Sequence, residues 1–257
     1  MMPDWIELLM VAIVGLCVGS FLNVCAYRLP LDESIVHPRS RCTSCGRTLS
    51  WFDNLPVLSW VALGGRCRTC KQAVSWMYPA VEIVTALIFV ITYLTHGLTL
   101  LSLVRVVFAC ALIVLFVTDL QHKILPNVIT VPGIVVGFVC SFFLPPGWVS
   151  SLIGLFVGGG FLLALAEAYY RVRGQEGLGM GDVKLLAMIG AFLGWKLVLL
   201  TLVFASFTGS LAGGLLIASG RGNMKYALPF GTFLAVGALF AATWGEPIAD
   251  WYFGFYQ

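Results

Sequence analysis

The chain has 257 residues, 60% of them hydrophobic and only 11% charged, and its mean hydropathy is +0.95. Soluble domains run at roughly 25% charged residues, so this balance excludes a water-soluble enzyme or binding module. The net charge of +3 follows from a loop bias set out below rather than from a nucleic-acid partner, since the cations gather on the side where anionic lipid and cytosol lie.

In chain order, apolar stretches fit to cross a bilayer cover 5–27, 79–96, 99–118, 128–144, 149–171, 183–195, 197–219 and 229–245. A span needs about 20 mostly apolar residues, so the expected fold class is an all-α polytopic membrane protein of about eight transmembrane helices. The sixth stretch is short. It reads either as a span lengthened by the GMGD residues before it or as a re-entrant piece. The division expected is a first helix over 1–27, a polar loop over 28–78 and a helical core over 79–257. The N-terminus MMPDWIELLM has no Lys or Arg before Arg28 and carries Asp4 and Glu7. It lacks the basic region of a secretory signal, and the first helix is read as retained.

Cations in short loops stay on the cytoplasmic side. With the N-terminus outside, the inside segments hold Arg28, Arg39, Arg41, Arg47, Arg66, Arg68, Lys71, Lys123, Arg171, Arg173, Lys184, Arg221 and Lys225, which is all but two of the 15 Lys and Arg residues. Lys196 falls outside and Arg105 lies within the third span.

The 28–78 loop is the one long hydrophilic segment, and it contains RCTSCGRTLSWFDNLPVLSWVALGGRCRTC. Cys42 and Cys45 form one C-x2-C and Cys67 and Cys70 another, near the spacing of a four-cysteine zinc ribbon. Reduced cytosolic thiols can take a tetrahedral Zn2+, and four sulfur ligands leave no open position for water. The expected role is structural, holding together a loop too small for an adequate core. Gly46 suits the turn after the first pair, and Arg41, Arg66 and Arg68 would offset the negative charge of the centre. Two redox C-x-x-C motifs are the rival reading. Cys17, Cys25, Cys110 and Cys140 sit in apolar helices and read as small buried hydrophobes.

Ionisable groups in or beside spans are costly and mark function by default. They are Glu82, Arg105, Asp119, Glu167 and Asp182, with Asn23 as a polar addition. Asp119 ends the third span in LFVTDLQHKILPN, and Asp182 opens the sixth in GLGMGDVKLL, where Lys184 marks the stretch as cytoplasmic. Two carboxylates brought together there share a proton. One can then activate water while the other protonates a leaving amine. Gly177, Gly179 and Gly181 would allow close backbone approach or positive φ. The bland alternative for Asp182 is a helix cap. Asp119 ends a helix, where a negative charge is unfavourable unless something needs it. Glu82 fits a first-turn position after Pro79, His122 reads as interfacial, and Arg105 and Glu167 are read as paired or snorkelling.

GSFLNV, the four-cysteine loop, SWMYPAVE, TDLQHKILPN, GLGMGDVKLL and PFGTFL, in that order over essentially the whole chain, resemble the bacterial type IV prepilin peptidases. The resemblance implies an inner-membrane aspartic endopeptidase of the GxGD type. Its expected substrates are type IV prepilins or type II secretion pseudopilins, cut at the cytoplasmic face of the lipid bilayer. It further implies N-methylation of the new N-terminus from S-adenosylmethionine, with Asp119 and Asp182 as the catalytic pair and Cys42, Cys45, Cys67 and Cys70 as zinc ligands. PFGTFL departs from the family pattern, with Thr232 where a second proline is expected, a change read as affecting the helix entry and neither aspartate. Asn23 is a candidate for holding the extended substrate backbone. A proton- or cation-coupled transporter would use the aspartates as relays but leaves the cysteine loop unexplained. A membrane scaffold with a docking ribbon leaves the aspartates unexplained.

Overall fold

In a computed structural model the described residues are 4–174, 179–220 and 228–254. Gly177, Arg221 and Lys225, used in the sequence reading, lie outside them. The described chain is helical: α1 Trp5–Arg28, α2 Leu58–Ala62, α3 Met77–His96, α4 Leu100–His122, α5 Asn127–Cys140, α6 Trp148–Leu155, α7 Phe161–Arg173, α8 Met180–Ala218 and α9 Phe230–Gly254. A π segment, Phe156–Gly160, joins α6 to α7. Six helical stretches among the described residues are long and apolar enough to cross a membrane, which makes the protein multi-pass.

The eight expected stretches map onto this set with two differences. The fourth becomes α5, only 14 residues long. The sixth and seventh become one 39-residue element, α8, broken at Gly194, whose φ of 78° and ψ of 178° are not helical. A side chain makes that conformation costly, so the break belongs to glycine.

Contacts divide the chain into two units, Met1–Val114 and Leu115–Gln257. In the first, α1 packs along α3. Gly15 and Gly19 let the two backbones close up: a Cβ at 15 would come within 2.6 Å of Ala86 Cα, and one at 19 within 2.7 Å of Glu82 Cα. Small residues serve this purpose where lipid tails remove the hydrophobic drive between helices. Asn23 donates through Nδ2 to the Tyr78 carbonyl at 3.0 Å and is buried. Its amide therefore ties α1 to the start of α3.

The second unit is built around the first arm of α8. Leu185, Leu186, Met188, Ile189 and Ala191 are fully buried there; α5, α6 and the π segment pack on α8, and α9 meets the second arm at Leu197, Thr201 and Phe204. Gly133 faces Met188, Gly137 faces Phe192, and a Cβ at Gly154 would lie 2.5 Å from the Gly190 carbonyl oxygen. Ser151 Oγ donates to the Ala191 carbonyl at 2.6 Å, adding a buried polar tie between α6 and α8. Lys184 Nζ donates to Asn127 Oδ1 at 2.8 Å, linking the N-terminal ends of α8 and α5.

Candidate active site and metal centre

Asp119 lies in the last turn of α4 and is 5% exposed. The Thr232 backbone N–H donates to its Oδ2 at 2.6 Å, and the Thr232 hydroxyl donates to the same oxygen at 3.0 Å. The sequence reading that Thr232 touches neither aspartate is thus overturned. A proline there could supply neither the N–H nor the hydroxyl. Thr232 follows Gly231, where a Cβ would lie 3.0 Å from Asp119 Oδ2. The Phe-Gly-Thr turn into α9 therefore needs glycine for clearance and the next residue for its donors.

Asp182 is the third residue of α8, and Gly179, not Asp182, is the N-cap. The bare capping reading loses its position. A first-turn carboxylate still gains from the helix dipole. Gly179 has an ordinary φ of −71°. A Cβ there would make only an ordinary contact, 3.4 Å from Asp182 Oδ2, so neither backbone angle nor space requires glycine at this position. Gly181 is a matter of room, with a Cβ falling 3.0 Å from Leu125 Cβ.

Leu125 is the residue the sequence reading missed. Its side chain packs against both Gly181 and Gly231, so it wedges between the turn that carries Asp182 and the turn that carries Thr232. The LPN end of TDLQHKILPN gave the only signal, with Asn127 meeting Lys184. Through these contacts the turn carrying Asp182 meets, across Leu125, the turn whose Gly231 and Thr232 lie against Asp119. Both carboxylates belong to the second unit, and its fold brings them together from separate helices.

The four cysteines of the first unit converge as expected. The Sγ atoms of Cys42, Cys45, Cys67 and Cys70 all lie within 4.8 Å of one another, and Cys42 and Cys70 are 3.8 Å apart. Two sulfurs bound at about 2.3 Å to one tetrahedral ion stand at about that separation, so the cluster fits a metal ion. Each pair sits on the same knuckle. The Cys42 N–H donates to the Arg47 carbonyl at 2.9 Å and Cys67 N–H to the Gln72 carbonyl at 2.8 Å, while Gly46 and Lys71 close the turns at φ +70° and +58°. The N–H groups of Cys70 and Thr69 draw the Cys67 thiol down to about 6. The Gln72 N–H pulls Cys70 the same way, but desolvation and the three neighbouring cysteines push it up to about 11. Four thiolates cannot coexist in this nest without a cation to hold them.

Asp53 braces the loop between the knuckles. Arg68 Nε meets it at 2.9 Å and Arg47 at 3.6 Å, and its side chain is 3% exposed. Desolvation raises its carboxyl, but the Arg68 hydrogen bond, the Ser50 N–H and the two guanidinium charges outweigh that and hold it below the usual carboxylate range. Arg68 thus pairs with Asp53 and Arg41 with Glu33, so the offset of metal-site charge expected of these arginines is shared with carboxylates. Arg105 bonds to His96, and Glu167 to Arg171 at 2.7 Å, so the two intramembrane charges have separate partners. Glu82 is the sixth residue of α3, past its first turn, and accepts from the Val57 N–H at 2.8 Å.

Fold and site together define a multi-pass helical membrane protein with a four-cysteine loop and two interacting aspartates at helix ends. The chain belongs to the type IV leader peptidase family. The family model of that description matches residues 106–214, and a model described as the bacterial peptidase A24 N-terminal domain matches 13–96. Prepilin leader peptidase/N-methyltransferases from three bacteria are similar. That of Myxococcus xanthus is 44% identical over 83% of this chain and 64% of its own length. That of Pseudomonas putida is 36% identical over 92% of this chain and 90% of its own, and that of Bacillus subtilis 34% identical over 93% and 95%. No solved structure matches.

Proposed function

We propose that this protein removes the basic leader from type IV prepilins or type II secretion pseudopilins at the cytoplasmic face of the inner membrane and N-methylates the new N-terminus. The printed name shared by its relatives supports both activities. The observation that carries the cleavage reading is the convergence, across Leu125, of the turn bearing Asp182 and the turn that holds Asp119, two carboxylates from separate helices in one unit. The bias of Lys and Arg toward one set of loops supports the cytoplasmic placement.

Two carboxylates that share a site hold one proton between them. The ionised member takes a proton from water as that water attacks the scissile carbonyl carbon. The protonated member gives its proton to the nitrogen as the C–N bond breaks, and the pair ends with the single proton it began with. Thr232 fixes one oxygen of Asp119, which sets the plane of that carboxylate before the substrate arrives. Gly231 keeps a side chain clear of the Asp119 carboxylate. The apolar helix of the prepilin would lie in the bilayer, with its leader on the cytosolic side.

The cysteine cluster would hold a structural Zn2+ through Cys42, Cys45, Cys67 and Cys70, with all four positions closed to water. S-adenosylmethionine, when bound, supplies an electrophilic methyl group on a sulfonium for the amine freed by cleavage. The test is leader loss on a gel with purified protein and a prepilin. The wild type should cleave, and Asp119→Asn and Asp182→Asn should each slow it by at least about a hundredfold. Cleavage that survives both substitutions eliminates the aspartyl mechanism.

A further inference from the structure

The cysteine loop shows more apolar surface than a loop bathed in water needs. Trp51, Leu58 and Val61 are 72%, 68% and 63% exposed, and Leu55 and Trp76 are exposed as well. Leu58 and Val61 stand three apart on α2, so they share one face of that short helix. Trp60 and Leu63 are turned the other way, toward the cavity between the loop and the start of α3. Both faces of α2 are therefore apolar, and only one is covered.

Two hydrogen bonds fix the depth of α2. The Val57 N–H, just before the helix, donates to Glu82 Oε2 at 2.8 Å, and Trp60 Nε1 donates to the Val74 carbonyl at 3.1 Å. Glu82 is the sixth residue of α3, about 7 Å along its axis at 1.5 Å per residue. The whole of α3 has 20 residues, about 30 Å, no longer than the hydrocarbon core it crosses. Its sixth residue lies level with the edge of the hydrocarbon, and so does the turn that begins α2. Val57 takes φ +59° and ψ −48° there, with the Leu58 N–H bonded to the Pro56 carbonyl, a γ-turn that is strained for a β-branched residue. Such strain persists where the surroundings over-determine it, and the Glu82 carboxylate does so here.

The charge of the loop suits the same depth. Residues 28–78 hold seven Lys and Arg against three Asp and Glu, an excess that survives the two net negative charges of four thiolates around a divalent ion. Arg39, Arg66 and Lys71 belong to none of the ion pairs among the described residues. Gly65, next to Arg66, packs against Trp60, which sets that cation beside α2. Apolar side chains flanked by cations are the composition of a segment that lies in the surface of an anionic membrane.

We infer that residues 51–62 dock into the headgroup layer of an anionic bilayer, with Leu58 and Val61 at the acyl boundary and Arg66 among the phosphates. The four-cysteine centre is thereby held down on the membrane instead of standing clear of it in water. The inference rests on α3 spanning the membrane, and neither the peptidase nor the methyltransferase reading enters it.

The test is photolabelling of the full chain in nanodiscs by phosphatidylglycerol or phosphatidylcholine carrying a carbene precursor near the top of an acyl chain, mapped by mass spectrometry. Label should appear within 51–62 together with 77–82. Label on 77–82 with none on 51–62 puts the loop in water and overturns the docking. Phosphatidylglycerol should label 51–62 more strongly than phosphatidylcholine, and the excess should vanish in about 1 M salt, where charges are screened within about 3 Å. Equal labelling by the two lipids at low salt overturns the anionic partner. Leu58→Asp combined with Val61→Asp should lower label on 51–62 at least about tenfold, through the loss of two apolar side chains from the boundary, and leave 77–82 unchanged. Undiminished label in that variant, with bound metal at the wild-type level as the sign of folding, overturns the face assigned to α2. A photoreactive amino acid at position 58 should couple to lipid. Coupling to a prepilin or to residues 115–257 in its place identifies a protein occupant and overturns the lipid one.

Discussion

The cysteine loop and the aspartate site solve the same problem, holding charged ligating or reacting groups in fixed relation, by opposite means. The loop does it locally. Its four sulfurs come from 29 consecutive positions, 42–70, and its two knuckles repeat one hydrogen-bond pattern, so each pair is preset by its own backbone. The aspartate site is assembled at long range, from the ends of α4 and α8 and the turn into α9, with Leu125 wedged between Gly181 and Gly231. A local site tolerates change elsewhere in the chain. An assembled one depends on every element that converges on it.

That contrast predicts a separation of effects. The largest should follow Asp119→Asn or Asp182→Asn, each lowering kcat for leader cleavage by about 10²- to 10⁴-fold, the range of a lost general acid or base. Metal content measured on the same samples should stay at wild-type level. A fall in bound metal would show that the two regions are coupled. In the converse experiment, Cys42→Ser should release the metal, read by elemental analysis, and leave most leader cleavage in place. An unchanged ratio of one metal per chain would remove the four-thiolate centre.

Smaller effects probe the long-range contacts. Thr232→Val retains the backbone donor and loses the hydroxyl, and should lower kcat about five- to tenfold for a hydrogen bond to a charged group worth about 1 to 1.5 kcal/mol. Thr232→Pro removes both donors and should cost more, Thr232→Ser should restore kcat, and KM should hold throughout. A change confined to KM would place Thr232 in substrate binding instead. The least consequential change should be Asp53→Asn, which takes one carboxylate from two partly exposed arginines. The amide keeps an acceptor for the Ser50 N–H and loses the charge that faces arginines partly screened by solvent, a difference of about 1 kcal/mol, so metal release in a chelator should quicken by about fivefold.

Legibility in the sequence follows the same divide. The cysteine pairs, their turn glycine and the apolar stretches are patterns within short windows, and the structure repeats them. Asp119 and Asp182 stood out because a charge at the edge of an apolar run is rare. What supports them was hidden. Thr232 acts partly through its backbone N–H, which leaves no mark on side-chain chemistry, and its partner lies 113 positions away. Leu125 reads as one more apolar residue until two glycines are found against it. Glu82 looked like a helix-start carboxylate because Pro79 drew the expected helix boundary later than Met77. The break at Gly194 was legible only as a short sixth stretch, since a backbone angle is not written in hydropathy.

The short helices also bear on how water reaches the aspartates. Helix α5, at 14 residues, is about 21 Å long at 1.5 Å per residue, and the first arm of α8, ending at Gly194 and packed against α5, is of similar length. A bilayer core is about 30 Å thick. Where two such helices stand side by side, hydrocarbon alone does not bridge the difference, and the bilayer must thin or admit headgroups and hydration along them. The arm that carries Asp182 is therefore also the place where the membrane is least able to stay dry, which suits a hydrolase whose second substrate is water.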